Sequence, residues 1–376
     1  MPPDPLALLR VPGPAEAYPA EPSDEEVARQ VGLDPRQVVR FDMNTLGGGP
    51  LPGAARGLAA YSAARLVEYG DQAYRRLRAA ISGVTGVPPQ RIVPGAGADE
   101  LIRLVTGMTV GPGDAVLVPT PTFPMFAVEA RLAGAEVIEV ARREPRERQP
   151  VERIGSAARV NRARLVWLCS PNNPTGDAFP RAEIEAMVAA LPAIVVVDAV
   201  YQELAEASLG LGPEALSLVP LQDRHPNLVV LRSLAKAYGL AGARVGYLVV
   251  AEALATRFDA SRLPLAIGGP SEAAAIGALD EPEVARERHR LMVGERRRLS
   301  DALAARGWEV LPSVTNFVLV RPPTDAARLA DALLKRGLVL RSWSSGPLRE
   351  WLRITARAPH ENDRLLTALA EVGERP

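Results

Sequence analysis

The chain has 376 residues, a length that predicts about two domains, and its composition of 47% hydrophobic and 23% charged residues is typical of a globular protein. Its 44 basic and 44 acidic residues cancel, which argues against nucleic acid as the main partner. A single cysteine, Cys169, and three scattered histidines exclude an intrachain disulfide and argue against a metal site or a Ser-His-Asp triad. No membrane-spanning apolar stretch or signal-peptide pattern is present, so we expect a cytoplasmic protein.

Lysine is almost absent from the chain. Of the 44 basic residues only two are lysines, Lys236 and Lys335, which leaves 42 arginines. A position that keeps lysine can need an amine that loses its proton and forms an imine, which a guanidinium cannot do. Lys335 lies near the end of a predicted helix, where any cation is favourable. Lys236 is therefore the better candidate for chemistry.

The first part of the chain predicts an arm followed by a layered domain. Residues 1–40 are rich in proline and acidic residues, with one short helix predicted around Asp24–Val31. From about residue 92 to 250, short runs rich in Val and Ile alternate with helical patterns. This alternation predicts an α/β fold with a mostly parallel sheet that is covered on both faces. The predicted strands are 115–119, 136–140, 164–169, 194–198, 228–232 and 245–250.

After Pro282 the pattern changes to that of a smaller α+β domain. A long charged helix is predicted over 283–305, then a strand at 316–321, a helix over 325–336, strands at 338–342 and 352–355, and a final helix over 362–372. We therefore expect an arm over residues 1–40 that packs with the small domain, a large domain over 41–282 and a small domain over 283–376.

Two polar residues follow or end predicted strands in a way that suggests a site. Lys236 comes after a buried strand and lies among small residues that leave room for a flat ligand, although an ordinary surface lysine fits the pattern equally well. Asp198 ends the strand 194–198, where open α/β sheets bind ligands, and a buried carboxylate there needs a positive partner. A protonated pyridine nitrogen would be one; the alternative is an aspartate that caps the next helix.

Two loops carry further candidate residues. The loop 170–176, with sequence SPNNPTG, consists of residues typical of turns and could place an asparagine side chain near Asp198. The alternative is a simple strand-to-helix turn. The loop 94–100, PGAGADE, precedes a helix whose N-terminus suits a phosphate, with Arg244 as a basic assistant. A dinucleotide fingerprint is the rival interpretation, but Glu100 stands where its third glycine or alanine belongs.

Together these features predict one cofactor. An imine-forming lysine, a carboxylate for a pyridinium, polar groups for a phenolic oxygen and a cradle for one phosphate are what pyridoxal phosphate requires.

The chain resembles the fold-type I pyridoxal-phosphate aminotransferases of classes I and II, and among them most closely the histidinol-phosphate aminotransferases. The resemblance extends from about Asp42 to Arg357 and implies a large domain with a mostly parallel seven-stranded sheet and a smaller α+β domain. It rests on the order and spacing of several motifs: YGD at 69–71, GADE at 97–100, PTPTF at 119–123, SPNNPTG at 170–176, Asp198 with Tyr201, Ser233 with Lys236, Arg244, NF at 316–317 and LRIT at 352–355.

The resemblance implies roles in holding the cofactor ring. Lys236 would bind the cofactor covalently and later shuttle a proton. Asp198 would keep the pyridine nitrogen protonated, Asn173 and Tyr201 would hydrogen-bond the phenolic oxygen, and Phe123 would stack on the ring, unless it is a core aromatic.

The resemblance also implies a phosphate site that is shared between subunits. Ala98 and Asp99 would donate backbone N–H groups, and Ser233 and Arg244 would add side-chain donors. The equivalent of Tyr69 in this family reaches the cofactor phosphate of the neighbouring subunit, which implies a homodimer.

The substrate side of the site is implied by three residues. Arg353 would bind the substrate α-carboxylate, and Arg341 would lie near a distal phosphate. Asn44 begins the segment that borders the substrate pocket, but Thr45 and Leu46 replace the family's Glu-Asn there. We expect transfer of an amino group from an L-amino acid or amino-alcohol phosphate to a 2-oxo acid, with histidinol phosphate and 2-oxoglutarate as the best pair.

Three alternatives remain open from the sequence. A decarboxylase, such as a threonine-phosphate decarboxylase, or an enzyme of specialised metabolism can use the same scaffold and differs in the bond that breaks. A non-catalytic binding protein of this fold is disfavoured because the lysine, aspartate and tyrosine are all present. A dehydrogenase is disfavoured by Glu100 and by the lack of a clear ribose-binding acid.

Overall fold

The computed structural model describes residues 21–148 and 150–373, so residues 1–20 of the predicted arm lie outside the described residues. The strands are β1 (Val39–Arg40), β2 (Ile92–Gly95), β3 (Ala115–Thr120), β4 (Glu136–Ala141), β5 (Leu165–Cys169), β6 (Ile194–Asp198), β7 (Leu228–Ser233), β8 (Gly246–Val249), β9 (Glu309–Val310), β10 (Phe317–Arg321), β11 (Leu338–Val339), β12 (Arg341–Ser342) and β13 (Leu352–Thr355). The helices are α1 (Asp24–Val31), α2 (Pro52–Ala59), α3 (Arg75–Thr85), α4 (Gly97–Thr109), α5 (Met125–Leu132), α6 (Val151–Val160), α7 (Arg181–Ala190), α8 (Gln202–Leu209), α9 (Leu234–Ala237), α10 (Glu252–Ser261), α11 (Gly269–Leu279), α12 (Pro282–Ala304), α13 (Ala326–Leu334) and α14 (Pro359–Gly373).

A seven-stranded sheet organises the larger part of the molecule. Its strand order is β2-β8-β7-β6-β5-β3-β4, and β8 alone runs antiparallel to its neighbours. This confirms the predicted α/β fold with a mostly parallel sheet of seven strands. The predicted strands leave out β2, which is short, contains Pro94 and Gly95, and lies at the sheet edge, where proline is tolerated.

The central strands are buried because helices cover both faces of the sheet. Alternate residues enter two different cores: Val195 and Val197 pack with helices α3, α7 and α11, whereas Val196 packs on the other face with α4, α5 and α10. Burying each such side chain contributes about 1.5–3 kcal/mol. The edge strand β4 is more exposed than the others, so only the inner strands match the expectation of cover on both faces.

A second, smaller sheet is built from the C-terminal residues. Strands β12, β13, β10 and β9 form an antiparallel sheet in that order. The strand predicted over 338–342 is two strands in the structure: β11 pairs in parallel with β1, and β12 pairs with β13. Leu340, between them, is buried in the small core, so the chain changes partners without leaving it.

The segment before the large sheet packs against the C-terminal part. Val39 and Phe41 lie in one core with Leu299 and Leu303, near the end of α12. Ala285, near the start of the same helix, packs in a core of the large sheet. Helix α12 therefore connects the two parts of the fold, and the domain boundaries at 40/41 and 282/283 stay predictions. Within the described residues, no helix combines the length and apolar character needed to span a membrane.

Candidate active site

One cavity of about 600 Å³ collects almost every residue that the sequence singles out. Tyr69 is the exception: its residue is 90% exposed and lies outside the cavity. The predicted residues that line the cavity are Asn44, Ala98, Asp99, Phe123, Asn173, Asp198, Tyr201, Ser233, Lys236, Arg244, Arg341 and Arg353.

The cavity lies at the carboxyl edge of the large sheet. Asp198 ends β6, Ser233 ends β7, and Asn173 is in the loop that follows β5. These strands are parallel neighbours, so their carboxyl ends meet at one edge, which is where open α/β sheets bind ligands.

Asp198 is a buried carboxylate that is poorly compensated by its surroundings. Its residue is 3% exposed, and its Oδ1 accepts a hydrogen bond of 3.1 Å from the backbone N–H of Val200. Burial raises the pKa of Asp198 to about 7. A cation placed beside this carboxylate would stabilise its charged form.

Lys236 lies on the short helix α9, directly after β7. The side chain of Ser233 caps this turn by accepting a 3.2 Å hydrogen bond from the N–H of Ala235, which leaves the hydroxyl hydrogen free to donate elsewhere. The Lys236 Nζ donates to the carbonyl oxygen of Met43 at 3.1 Å. Burial, followed by the positive charge of Arg353, lowers the pKa of Lys236 to about 8. An amine with this pKa is readily deprotonated near neutral pH.

Tyr201 is held by a hydrogen bond from a residue distant in sequence. Asn44 Nδ2 donates to the Tyr201 hydroxyl oxygen at 2.9 Å, while Asn44 Oδ1 accepts from Thr355 at 3.1 Å. Asn44 has a φ of 52°, a conformation that asparagine tolerates better than most residues. Because the Tyr201 oxygen accepts from Asn44, its own proton is free to donate into the cavity.

Arg353 is oriented from two sides. Its guanidinium donates to Asn173 Oδ1 and to the carbonyl oxygen of Asp42, and it lies 5.5 Å from the centre of the Phe317 ring. Since Asn173 accepts through its oxygen, its amide N–H groups are available to donate to a ligand. Arg353 therefore joins strand β13 directly to the loop after β5.

The N-terminus of α4 forms a tight backbone cradle. Gly97 has a φ of +83°, a left-handed conformation that strains any residue with a side chain, and a Cβ there would also displace the Arg244 guanidinium, whose Nη2 would be 2.7 Å away. Arg244 Nη2 donates to Asp99 Oδ2 at 2.7 Å. Glu100 accepts a hydrogen bond from the backbone N–H of Ala96 and so closes the loop. The first N–H groups of α4, at Ala98 and Asp99, have no partner within the helix and suit a phosphate.

Asn172 ties two cavity loops together. Its Nδ2 donates to the Pro121 carbonyl at 3.0 Å and to Thr175 Oγ1 at 2.7 Å, and its Oδ1 accepts from Thr122 at 2.8 Å. The loop that carries Phe123 is thereby fixed against the loop that carries Asn173. Asn172 is not among the predicted site residues, although its place beside Asn173 in the turn could have suggested such a role.

The other end of the cavity contains residues from the small sheet and the arm. Arg341 on β12 lies directly opposite Arg353 on β13, and its guanidinium is 5.9 Å from the centre of the Trp343 ring. The Glu21 carboxylate forms an ion pair with Arg341. Sequence reasoning missed Trp343 and Glu21. Trp343 is two positions after Arg341 in an extended segment, where alternate side chains point to the same face, and this spacing could have indicated it. No local signal pointed to Glu21.

A family model described as aminotransferase class I and II matches residues 36–372. The chain belongs to the class I and II aminotransferases. A histidinol-phosphate aminotransferase of Roseiflexus castenholzii is 36% identical to this aminotransferase over 356 residues, which cover 93% of each chain. One of Xanthomonas campestris pv. campestris is 40% identical over 311 residues, 80% of this chain and 83% of the relative.

The fold agrees with solved structures. The crystal structure of histidinol-phosphate aminotransferase from Sinorhizobium meliloti in complex with pyridoxal-5'-phosphate has a TM-score of 0.85 and 29% identity, and it covers 96% of this chain and 97% of that one. These comparisons confirm the predicted family, fold and transferase activity. The chain is a pyridoxal-phosphate-dependent enzyme that acts on an amino donor and a 2-oxo acid.

The residues of the cavity fit this cofactor. Asp198 is a buried carboxylate suited to a protonated ring nitrogen, and Gly97 leaves the backbone of α4 open to a phosphate. Asn173 and Tyr201 retain donors for a phenolic oxygen, and Lys236 offers an amine of lowered pKa.

Proposed function

We propose that this aminotransferase transfers the amino group of histidinol phosphate, an amino-alcohol phosphate, to 2-oxoglutarate. The observation that carries the proposal is the pair Arg341 and Arg353, which lie opposite each other on neighbouring strands in one cavity with Lys236. A phosphate, or a substrate with two carboxylates, needs two such groups, and arginine binds both kinds of anion in a bidentate manner. The relatives named above carry the same substrate in their names.

We assign the proton chemistry to three residues. When bound, pyridoxal phosphate supplies a ring that withdraws electrons and stabilises negative charge at the substrate Cα. Lys236 Nζ would take the proton from the substrate Cα and hold it for return, a role typically worth about 10²–10⁴-fold in rate. Asp198 would accept a hydrogen bond from the ring nitrogen and keep it protonated, and Tyr201 and Asn173 would donate to the phenolic oxygen.

The residues that would bind the cofactor phosphate surround the N-terminus of α4. We propose that Ala98 and Asp99 donate backbone N–H groups, that Ser233 donates its free hydroxyl hydrogen, and that Arg244 exchanges its partner Asp99 for the cofactor phosphate. Phe123 is proposed to cover one face of the ring, since its loop is fixed against the loop after β5. Arg353 is proposed to bind the α-carboxylate of glutamate and, together with Arg341, the phosphate of histidinol phosphate.

A donor screen tests the substrate. The enzyme loaded with pyridoxal phosphate is incubated with 2-oxoglutarate and one donor at a time, and glutamate and carbon dioxide are both measured. We expect glutamate to form fastest with histidinol phosphate and much more slowly with histidinol, which lacks the phosphate. Equal rates with both donors would contradict the substrate assignment. Carbon dioxide without glutamate from an amino-acid donor such as threonine phosphate would support a decarboxylase.

We propose that the enzyme is a homodimer in which Tyr69 reaches the partner's cofactor phosphate. Leu66, Val67 and Tyr69 form a run of exposed hydrophobic residues, which is typical of an interaction surface. Mixing Lys236→Ala and Tyr69→Ala subunits tests this, because a mixed dimer has one site with both residues intact. Activity should return on mixing, and its failure to return in proven mixed dimers would contradict the shared site.

A cytoplasmic location stays a prediction.

A further inference from the structure

The arm places a carboxylate at the far end of the active-site cavity. Glu21 lines the cavity and forms an ion pair with Arg341, the arginine that we propose binds a substrate anion. The two side chains are only partly exposed, at 23% for Glu21 and 25% for Arg341, so their charges face each other with limited access to water. Like the phosphate or carboxylate of a substrate, this group has negatively charged oxygens that can pair with Arg341.

The register of the small sheet explains why an anion is needed there. Arg341 and Arg353 are direct partners across β12 and β13, and like charges opposite each other destabilise a sheet. Arg353 is compensated by the oxygens of Asn173 and Asp42. Glu21 supplies the compensation for Arg341.

Glu21 is attached to a firmly anchored part of the arm. The next residue, Pro22, accepts a 2.8 Å hydrogen bond through its carbonyl oxygen from Arg40, which also pairs with Asp24 and Asp42. Helix α1 begins directly afterwards with a complete capping box. The carboxylate of Glu21 can therefore leave Arg341 by rotation of its own side chain, without movement of α1.

We propose that Glu21 is an internal counter-anion that occupies the distal anion position and selects for substrates able to displace it. This inference rests on the proposed function. The phosphate of histidinol phosphate carries up to two charges and replaces the single carboxylate, whereas a donor whose only anion is an α-carboxylate, such as alanine, leaves the Glu21–Arg341 pair intact. Glu21 is thus a specificity-determining residue that makes a substrate phosphate compete with the arm's carboxylate for Arg341.

The test measures binding of inorganic phosphate to the enzyme loaded with pyridoxal phosphate, at constant ionic strength. The fluorescence of Trp343, beside Arg341, reports binding, and Trp343→Phe identifies the signal. In Glu21→Gln we expect phosphate to bind about 2–5-fold more tightly, since a partly exposed ion pair is worth about that factor. The KM for histidinol phosphate should fall by a similar factor, with kcat and the KM for alanine unchanged.

A matched control removes the same charge nearby. Glu25→Gln, on the exposed side of α1, should bind phosphate like the wild type. If Glu21→Gln and Glu25→Gln behave alike while Arg341→Gln loses phosphate binding, the counter-anion inference is wrong and the substrate site stands. If Arg341→Gln also binds phosphate normally, the distal anion site fails, and the proposed substrate fails with it.

Discussion

The two ends of the active-site cavity are built in different ways. At the cofactor end, Asp198, Ser233 and the cradle at α4 lie on strand ends or on backbone, fixed by the buried sheet. At the substrate end, Arg341 is on the two-residue strand β12, Trp343 directly follows that strand, and Glu21 is in the arm; these residues meet through long side chains. With the roles proposed above, the chemistry rests on the rigid part of the fold, whereas the choice of substrate rests on side chains that can exchange partners.

The strongest test of the cofactor end is Lys236→Arg. This substitution keeps the charge but removes the amine that we propose binds the cofactor and moves the proton, so we expect kcat to fall by about 10⁴-fold. Borohydride reduction followed by peptide mapping should place the cofactor on residue 236 in the wild type only. The chain offers one matched control, because Lys335→Arg changes its only other lysine and should leave activity intact.

Asp198→Asn tests the burial of charge at the same end. The pKa of Asp198 is raised to about 7 from an ordinary value of 3.8, so between pH 4 and 7 the native protein binds more protons than the unfolded chain. The stability of the cofactor-free protein should therefore fall as pH rises through this window. The free energy of unfolding of Asp198→Asn, relative to that of the wild type, should therefore rise by up to about 3 kcal/mol between pH 5 and 8, at 1.36 kcal/mol per pKa unit.

Urea unfolding of the cofactor-free proteins measures this difference. The exposed Asp223→Asn serves as the control and should show no such gain. A wild type that becomes more stable from pH 5 to 8, relative to Asp198→Asn, would mean that Asp198 already has a positive partner in the cofactor-free protein.

At the substrate end, Arg353→Lys should have a smaller effect. Lysine keeps the charge but cannot form the bidentate pair with a carboxylate, and a hydrogen bond to a charged group is worth about 1.5–3 kcal/mol. We expect kcat/KM for glutamate to fall by about 10–100-fold, mainly through KM, with the visible absorption of the bound cofactor unchanged. Arg349→Lys, on an exposed residue nearby, is the control. Loss of the cofactor absorption would show instead that Arg353 mainly supports Asn173.

The sequence predicts the cofactor end better than the substrate end for a physical reason. Buried parallel strands appear as continuous apolar runs, and a polar residue at the end of such a run, such as Asp198, must face the carboxyl edge of the sheet. Lys236 stands out because lysine is so rare in this chain. These local signals are sufficient to predict most of the cofactor end.

The substrate end depends on contacts that are remote in sequence. The pairing of Arg341 with Arg353 follows from the register of β12 and β13, and the break of the predicted strand 338–342 at Leu340 comes from a change of partner strand. Glu21 meets Arg341 across 320 positions of the chain. None of these contacts has a local pattern that predicts it.

Asn44 lies between the cofactor end and the substrate end, and its role distinguishes the two most finely. Its resemblance-based role is substrate binding, yet its amide is engaged with Tyr201 and Thr355. If Asn44 acts by orienting the Tyr201 hydroxyl, Asn44→Gly, which suits the φ of 52°, should lower kcat by about 5–10-fold, the value of one hydrogen bond, with little change in KM. A double-mutant cycle with Tyr201→Phe decides the matter: in the Tyr201→Phe background the Asn44→Gly substitution should have almost no further effect. Additive losses, or a rise in KM alone, would assign Asn44 to the substrate instead, and the boundary between the two ends would then pass between Asn44 and Tyr201.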